Sequence, residues 1–260
     1  MSDPSYEVYA IKYAHHARRA SENFIGGDPH DGPMPLDFCV WLVRGGGREI
    51  VVDTGFSAAT AIRRQRDHLR CPTAGLGFLN CDSKKIKDVV ITHLHYDHVG
   101  NFDLFPAATF HLQDREMHYA TGRHMAQPVF RGAFDVEDVV GMVRNCYAGR
   151  VRFHDGDATI APGVSLHLIG GHTMGLQVVR VATRRGWVVL ASDASHFYAN
   201  MEQARPFPIV FSVADMVEGY DRLRALADSP AHIIPGHDPL VFERYPAPAA
   251  ELQGIVARLD

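Results

Sequence analysis

Three imidazoles and a carboxylate fall within six residues of this chain: His93-Leu94-His95-Tyr96-Asp97-His98. All four can donate to a divalent cation, and zinc in particular accepts His nitrogen and Asp oxygen. The preceding run, Asp88-Val89-Val90-Ile91-Thr92, predicts a buried strand, and Val99-Gly100-Asn101 predicts a turn. In extended backbone, residues two apart point the same way. His93 and His95 therefore share a direction. Asp97 and His98 leave from the bend and can face a second centre. The spacing suits two adjacent metals better than one. Two such ions, about 3.5–4 Å apart, share a hydroxide and lower the pKa of water to about 7. A hydroxide held this way attacks a carbonyl carbon at neutral pH. One ion then polarises the carbonyl oxygen, and the other stabilises the leaving alkoxide.

The elements that must carry these residues follow from hydrophobic pattern and turn chemistry. Residues 6–13 alternate loosely and predict a first strand. Residues 26–35 are a turn-rich loop, and 36–43 resume a strand with Phe38, Val40 and Leu42 on one face. Gly45-Gly46-Gly47 predicts a hairpin turn, and the strand 49–55 ends in Asp53-Thr54-Gly55. Residues 58–69 are compatible with a helix, with Arg63, Arg64, Arg66 and Arg70 on a solvated face. Residues 71–80 read as a loop, and 82–86 as a short helix capped by Asp82. Residues 108–113 predict a strand, with Asp114 capping a helix through His118. His111 and His118 have no spacing that ties them to the hexapeptide and read as structural. Residues 121–149 carry only a weak helical signal, around 136–143. Residues 150–153 are expected to open a second β-rich half. It continues with strands at 164–169, 176–182 and 187–191, then an amphipathic helix over 213–226. The apolar side of that helix is Met216, Val217, Tyr220, Leu223 and Leu226. The tail, with Pro246 and Pro248, reads as peripheral.

One pattern recurs along the chain. An apolar strand ends, a small or turn residue follows, and a metal-capable side chain comes next. It occurs at His93, at Gly170-Gly171-His172, at Ser192-Asp193 and at Pro235-Gly236-His237. Strand ends on one edge of a packed sheet converge, so four of them can supply one site.

These segments resemble the metallo-β-lactamase superfamily over residues 36–240, and the hexapeptide fits its His-x-His-x-Asp-His motif. The resemblance implies an α+β fold, a four-layer αββα sandwich in a single domain spanning 1–260. It implies that His93, His95 and His172 bind one divalent metal and that Asp97, His98 and His237 bind the second. Asp193 bridges the two, and zinc is the expected ion. It also implies a role for Asp53 beside the metals. Within the superfamily, Val52-Asp53-Thr54-Gly55, Gly171-His172-Thr173, Ser192-Asp193-Ala194-Ser195 and Gly236-His237-Asp238 are most similar to the N-acyl homoserine lactonase group. The implied activity is opening of a lactone ring by a metal-bridging hydroxide, with Asp97 and Asp193 taking part and Asp193 managing the proton. The alternative is another hydrolase of the superfamily, such as a thioesterase of the glyoxalase II type, which shares the ligand set, or a hydrolase of a different cyclic ester or amide. A non-catalytic metal-binding domain is disfavoured by the complete ligand set. Two departures stand out. The group's usual Tyr three residues after the bridging Asp is His196 here, with Tyr198 two further on, so either is the candidate donor to the substrate carbonyl. The usual second His after Gly171-His172-Thr173 is Leu176. By the same analogy, residues 14–35, with His15, His16, Arg18, Phe24, Ile25 and Met34, are a candidate substrate lid.

Composition narrows the partners. The chain has 260 residues and a formal net charge of −4, which gives no electrostatic case for nucleic acid or an anionic membrane. No apolar stretch is long enough to span a bilayer. Cys39, Cys71, Cys81 and Cys146 form no C-x-x-C pair, and the start lacks a secretory pattern, so a cytoplasmic protein with reduced thiols is expected. The expected partner is a small-molecule substrate, a lactone or similar acyl compound, with a homodimer as one possible assembly.

Overall fold

A run of four parallel strands sets the direction of the whole molecule. The computed structural model describes residues 5–260. The first sheet contains β1 (Glu7–His16), β2 (Leu36–Gly45), β3 (Arg48–Val52), β4 (Asp67–His68), β5 (Asp88–Val90), β6 (Thr109–Gln113) and β7 (Val151–His154). The second contains β8 (Ala158–Ala161), β9 (Val164–Leu168), β10 (Gln177–Thr183), β11 (Gly186–Ser192) and β12 (Ile233–Pro235). A last strand, β13 (Val256–Arg258), returns to the first sheet and pairs with β1. In the first sheet β3, β5, β6 and β7 run parallel to one another. In the second, β11 and β12 are parallel, and β9 runs the same way because β10 is antiparallel to both β9 and β11. Parallel strands bring their carboxyl ends to one edge, where α/β proteins place ligands.

The two faces of the first sheet explain the layering. Ile11, Tyr13, Phe38, Val40, Val51, Val89 and Phe110 pack against helical residues Ala61, Leu76, Tyr119, Val139 and Met142. Val8, Ala10, Trp41, Ile50, Val52 and Val90 face the other way, onto Val164, Leu166, Val179 and Val181 of the second sheet. Met216, Tyr220 and Leu223 of helix Val213–Leu226 belong to the same core and close the far side of that sheet. The result is the expected four-layer αββα sandwich. The bounds of helix 213–226 match the pattern, but Val217 is 38% exposed and lies off the buried stripe.

Several sequence expectations need correction. Residues 71–80 are not a loop: Pro72–Gly77 is a helix, started by Pro72, whose fixed φ suits a first turn. The helix from Ala58 stops at Arg64 because Gln65 adopts a left-handed φ of 54°, and Asp67–His68 then pair with β1. Asp114 is the first residue of its helix, and the cap position is Gln113. β7 does not open the second half; it extends the first sheet beside β6, and the boundary falls after it. The tail is not peripheral, because Val256, Ala257 and Leu259 are buried and cover the open edge of β1. The weak region 121–149 contains the helix Val136–Tyr147, capped by Asp135. No helix of the described residues is long and apolar enough to cross a membrane.

Candidate metal centre

Five strand ends deliver the site. β5 ends at Val90 and leads through Ile91-Thr92 to His93 and His95, and a single helical turn, Tyr96–Val99, carries Asp97 and His98. β9 leads to His172, β11 to Asp193, β12 to His237 and β3 to Asp53. The turns at these ends are tight. Asp53 and Ser192 take positive φ values of 62° and 46°, and Gly170 and Gly171 take 75° and 83°. Non-glycine residues rarely adopt this region, and such strain gathers at functional sites. Here both strained side chains hold Thr92. Its hydroxyl lies 2.8 Å from Asp53 Oδ2 and 2.9 Å from Ser192 Oγ, and its N–H donates to Asp53 Oδ1 at 2.8 Å.

All seven proposed ligands converge, and they divide into two groups. His93, His95, His172 and Asp193 offer ligand atoms within 4.8 Å of one another, as do Asp97, His98 and His237. Asp193 spans the groups. Its Oδ2 lies 3.1 Å from His172 Nε2 and 3.7 Å from His93 Nε2. Its Oδ1 lies 2.9 Å from His237 Nε2 and 3.3 Å from His98 Nε2.

The outer ring nitrogens are fixed, which aims the inner ones. His98 Nδ1 meets Asp53 Oδ2 at 2.7 Å, His172 Nδ1 meets the Ile209 carbonyl at 2.7 Å, and His237 Nδ1 meets the Asp37 carbonyl at 3.0 Å. Such contacts set tautomer and ring orientation in metal sites. Asp53 thus touches the His98 ring directly, beside the cluster where the superfamily resemblance placed it.

The donor set fits a divalent cation. His95 Nδ1 sits 3.0 Å from His93 Nε2 and 2.9 Å from His172 Nε2, so three ring nitrogens crowd one point. A single shared proton cannot satisfy all three, whereas a cation can. Burial and the neighbouring rings hold His93 and His95 well below the usual histidine range, in the neutral form that ligates. Burial would also lower His98, but the charges of Asp193, Asp97 and Asp53 raise it well above that range. Its Nε2 is nevertheless buried without a hydrogen-bond partner. For Asp193, four surrounding histidines outweigh burial and keep its carboxyl well below the carboxylate range. The fold concentrates anionic and neutral donors where positive charge belongs.

A family model of the metallo-β-lactamase superfamily matches residues 40–237, well over half of the chain. The chain belongs to the metallo-β-lactamase superfamily. Among curated relatives, N-acyl homoserine lactonase AttM of Azorhizobium caulinodans is 31% identical over 179 residues, covering 62% of this chain and 61% of that protein. The chain therefore matches less than two thirds of that relative's length. A quorum-quenching N-acyl homoserine lactone lactonase superposes with a TM-score of 0.75 at 21% identity, over 91% of this chain and 94% of its own. AidC, a dizinc quorum-quenching lactonase, superposes with a TM-score of 0.71 at 16% identity, over 91% and 89%. At these identities the superpositions show the shared fold.

Above this superfamily centre lies a cavity of about 150 Å³. His95, Asp97, His172, Asp193, His196 and His237 form its floor, and Leu36, Phe38, Phe207 and Ile209 give it apolar walls. His196 is 3% exposed, stacks on Phe207 with centroids 3.8 Å apart, and holds Nε2 3.0 Å from Asp193 Oδ2. Burial lowers its pKa to about 3, so the ring is neutral. Tyr198 is not brought to the cavity. It begins the helix Tyr198–Glu202, which turns its ring into the second-sheet core beneath the Arg244 guanidinium, 3.8 Å away. His111 likewise stays out, held by Asp88 and His154 at 3.0 Å each, and His118 is exposed.

Two further features were not read from the sequence. Arg64 and Arg66, expected on a solvated face, line the cavity with Arg18. The left-handed turn at Gln65 takes Arg66 out of the helix that carries Arg63 and Arg64, and Arg63 pairs with Asp135. Glu116 is fully buried and accepts from the N–H groups of Leu94 and Gly175 and from the Thr173 hydroxyl. It clamps the His93–His98 loop to the His172 loop. Gly175 permits that clamp: a Cβ there would lie 2.1 Å from the Glu116 nitrogen. Gly175→Ala must push main chain apart. It is expected to cost about 3 kcal/mol of stability, measured by denaturant unfolding.

Proposed function

We propose that this chain is a metal-dependent hydrolase that opens a lactone ring at a dinuclear centre. In this reading His93, His95 and His172 hold one ion, Asp97, His98 and His237 hold the other, and Asp193 bridges them. The observation that carries it is the division of the Asp193 oxygens, one toward each histidine group. Zinc fits the nitrogen and oxygen donors, and AidC, a dizinc protein of the same fold, supports that choice. The name of the AttM relative supports a lactone as substrate.

Two divalent ions at this centre would supply a hydroxide at neutral pH and polarise the ester carbonyl. The chain's own groups do the rest. Asp193 fixes the spacing between the ligand groups and can accept a proton on its way to the leaving oxygen. Phe38, Phe207 and Leu36 exclude bulk water, which strengthens every charge interaction in the cavity. His196 holds its Nε2 3.0 Å from Asp193 Oδ2 and so helps to position the bridging carboxylate. His196→Ala is expected to lower kcat about 10–100-fold, while Tyr198→Phe leaves it unchanged. Equal rates for His196→Ala and the parent chain would remove that role.

Residues 14–35 remain the proposed cover. β1 takes the first three of them, and Arg205 ties the loop down at Asp28 and Gly27. Deleting residues 27–32 should raise KM, and unchanged kinetics would count against a lid.

The function is tested by loading the full chain with zinc, counting metal per chain, and measuring acid release from a panel. The panel holds acyl-homoserine lactones, simple lactones, S-acyl glutathione and a β-lactam. About two ions per chain and release from lactones are expected. Release confined to the thioester would overturn the lactone, and a chain that binds no metal would overturn the centre.

A further inference from the structure

We propose that the substrate carries a carboxylate besides the ester, and that Arg18, Arg64 and Arg66 receive it. This rests on the lactone reading and specifies its substrate class. The three guanidiniums line the cavity with the metal-ligating residues. Among the described residues none has a carboxylate oxygen within ion-pair distance. Their outward neighbours differ: Arg19 pairs with Asp31 at 2.8 Å, and Arg63 pairs with Asp135. The two sequence neighbours that face solvent are neutralised, and the three arginines that line the cavity have no carboxylate partner.

The heads are nevertheless held in place, by neutral groups. Arg64 donates to the carbonyls of Gly132 and Phe134 at 3.0 and 2.9 Å and stacks on Tyr96, 3.9 Å from the ring centroid. Arg66 Nε donates to the Tyr96 hydroxyl at 3.1 Å, and Arg18 Nε donates to Asn23 Oδ1 at 2.7 Å. Carbonyls, an amide and a phenol fix orientation without cancelling charge. Fixed, forked donors of this kind suit planar anions, and their ordering is complete before binding. Tyr96 belongs to the metal-binding hexapeptide, so the cationic wall is built onto the centre itself.

Charge balance points the same way. Among the described residues Asp97 and Asp193 are the only carboxylates lining the cavity, and both face the histidine groups. A chain of net charge −4 thus keeps a positive cavity wall. His16 senses the field: burial together with Arg66 and Arg18 lowers its pKa to about 4. A neutral substrate leaves three guanidiniums uncompensated in a narrow space. A lactone with a pendant carboxylate places its ester at the metals and its anion on the arginines.

The test compares 5-oxotetrahydrofuran-2-carboxylate with its methyl ester on the zinc-loaded full chain. Both kcat/KM and calorimetric Kd are measured, so binding is read even where turnover is absent. The carboxylate should be favoured about tenfold or more in both, a preference that shrinks as salt rises. Arg66→Met and Arg18→Met should bring the ratio toward one. Arg64→Met should do the same if it melts like the parent. Arg63→Met should leave the ratio unchanged. Equal affinity for the two lactones, with no effect of Arg66→Met or Arg18→Met, would overturn the proposal. Carboxylate-selective binding with hydrolysis of thioesters alone would retain the anion site and overturn the lactone reading.

Discussion

Asp193→Asn is expected to lower kcat/KM at least about 10³-fold, equivalent to about 4 kcal/mol, while the far-UV spectrum stays that of the parent. The argument starts from the two oxygens. Oδ1 serves His98 and His237, and Oδ2 serves His172 and His93. An asparagine retains one oxygen and replaces the other with an amide nitrogen that has no lone pair to give. One histidine group then loses its shared ligand, and the pair of ions loses a unit of negative charge. Bound metal should fall from two per chain to one or fewer. The fold tolerates the change because Asn is nearly isosteric and the strand end at Ser192 stays in place. The charges that raise His98 and His237 also weaken, so both rings move toward the neutral form. Elemental analysis beside kinetics checks each step. A variant with two ions and parental activity would remove Asp193 from its bridging and proton-handling roles.

The sequence made this centre legible for a specific reason. Metal ligands need side chains at fixed backbone positions, and strand ends leave a visible mark of apolar run, small residue, then donor. His172, Asp193 and His237 were singled out that way, and the structure brings them together; the αββα layering followed from the resemblance those segments carry. What stayed hidden depends on contacts that have no spacing. Glu116 binds mainly main-chain N–H groups, so no residue type in the facing loop signals it. Arg66 continues a helix-like register with Arg63, and only the left-handed turn at Gln65 takes it out, while Arg64 ends the helix beside Arg63. Tyr198 is two residues from His196, yet the start of a helix between them sends the rings to different cores. The tail lacked a pattern of its own because β13 is three residues long and borrows its edge from β1.

Glu116→Ala should be the most damaging change outside the ligands, and its effect should reach the metals. The carboxylate is fully buried and has no cationic partner among the described residues; three donors hold it instead. Burial raises its pKa even against those three hydrogen bonds. Alanine strands the Leu94 and Gly175 N–H groups and the Thr173 hydroxyl in a dry interior, at about 1–3 kcal/mol each. A total of several kcal/mol corresponds to a fall in Tm on the order of 10 °C for a chain of this size. Leu94 lies between His93 and His95, and Thr173 follows His172. The loss therefore falls on the group of three histidines rather than on Asp97, His98 and His237. Titration with zinc should show one weakened site and one near-parental site. Glu116→Gln separates the two effects: it keeps the shape and one acceptor but turns an N–H₂ toward a donor, so its loss should be smaller and in the same direction. Equal weakening of both sites, or none, would mean that Glu116 stabilises the fold without setting the geometry of the histidines.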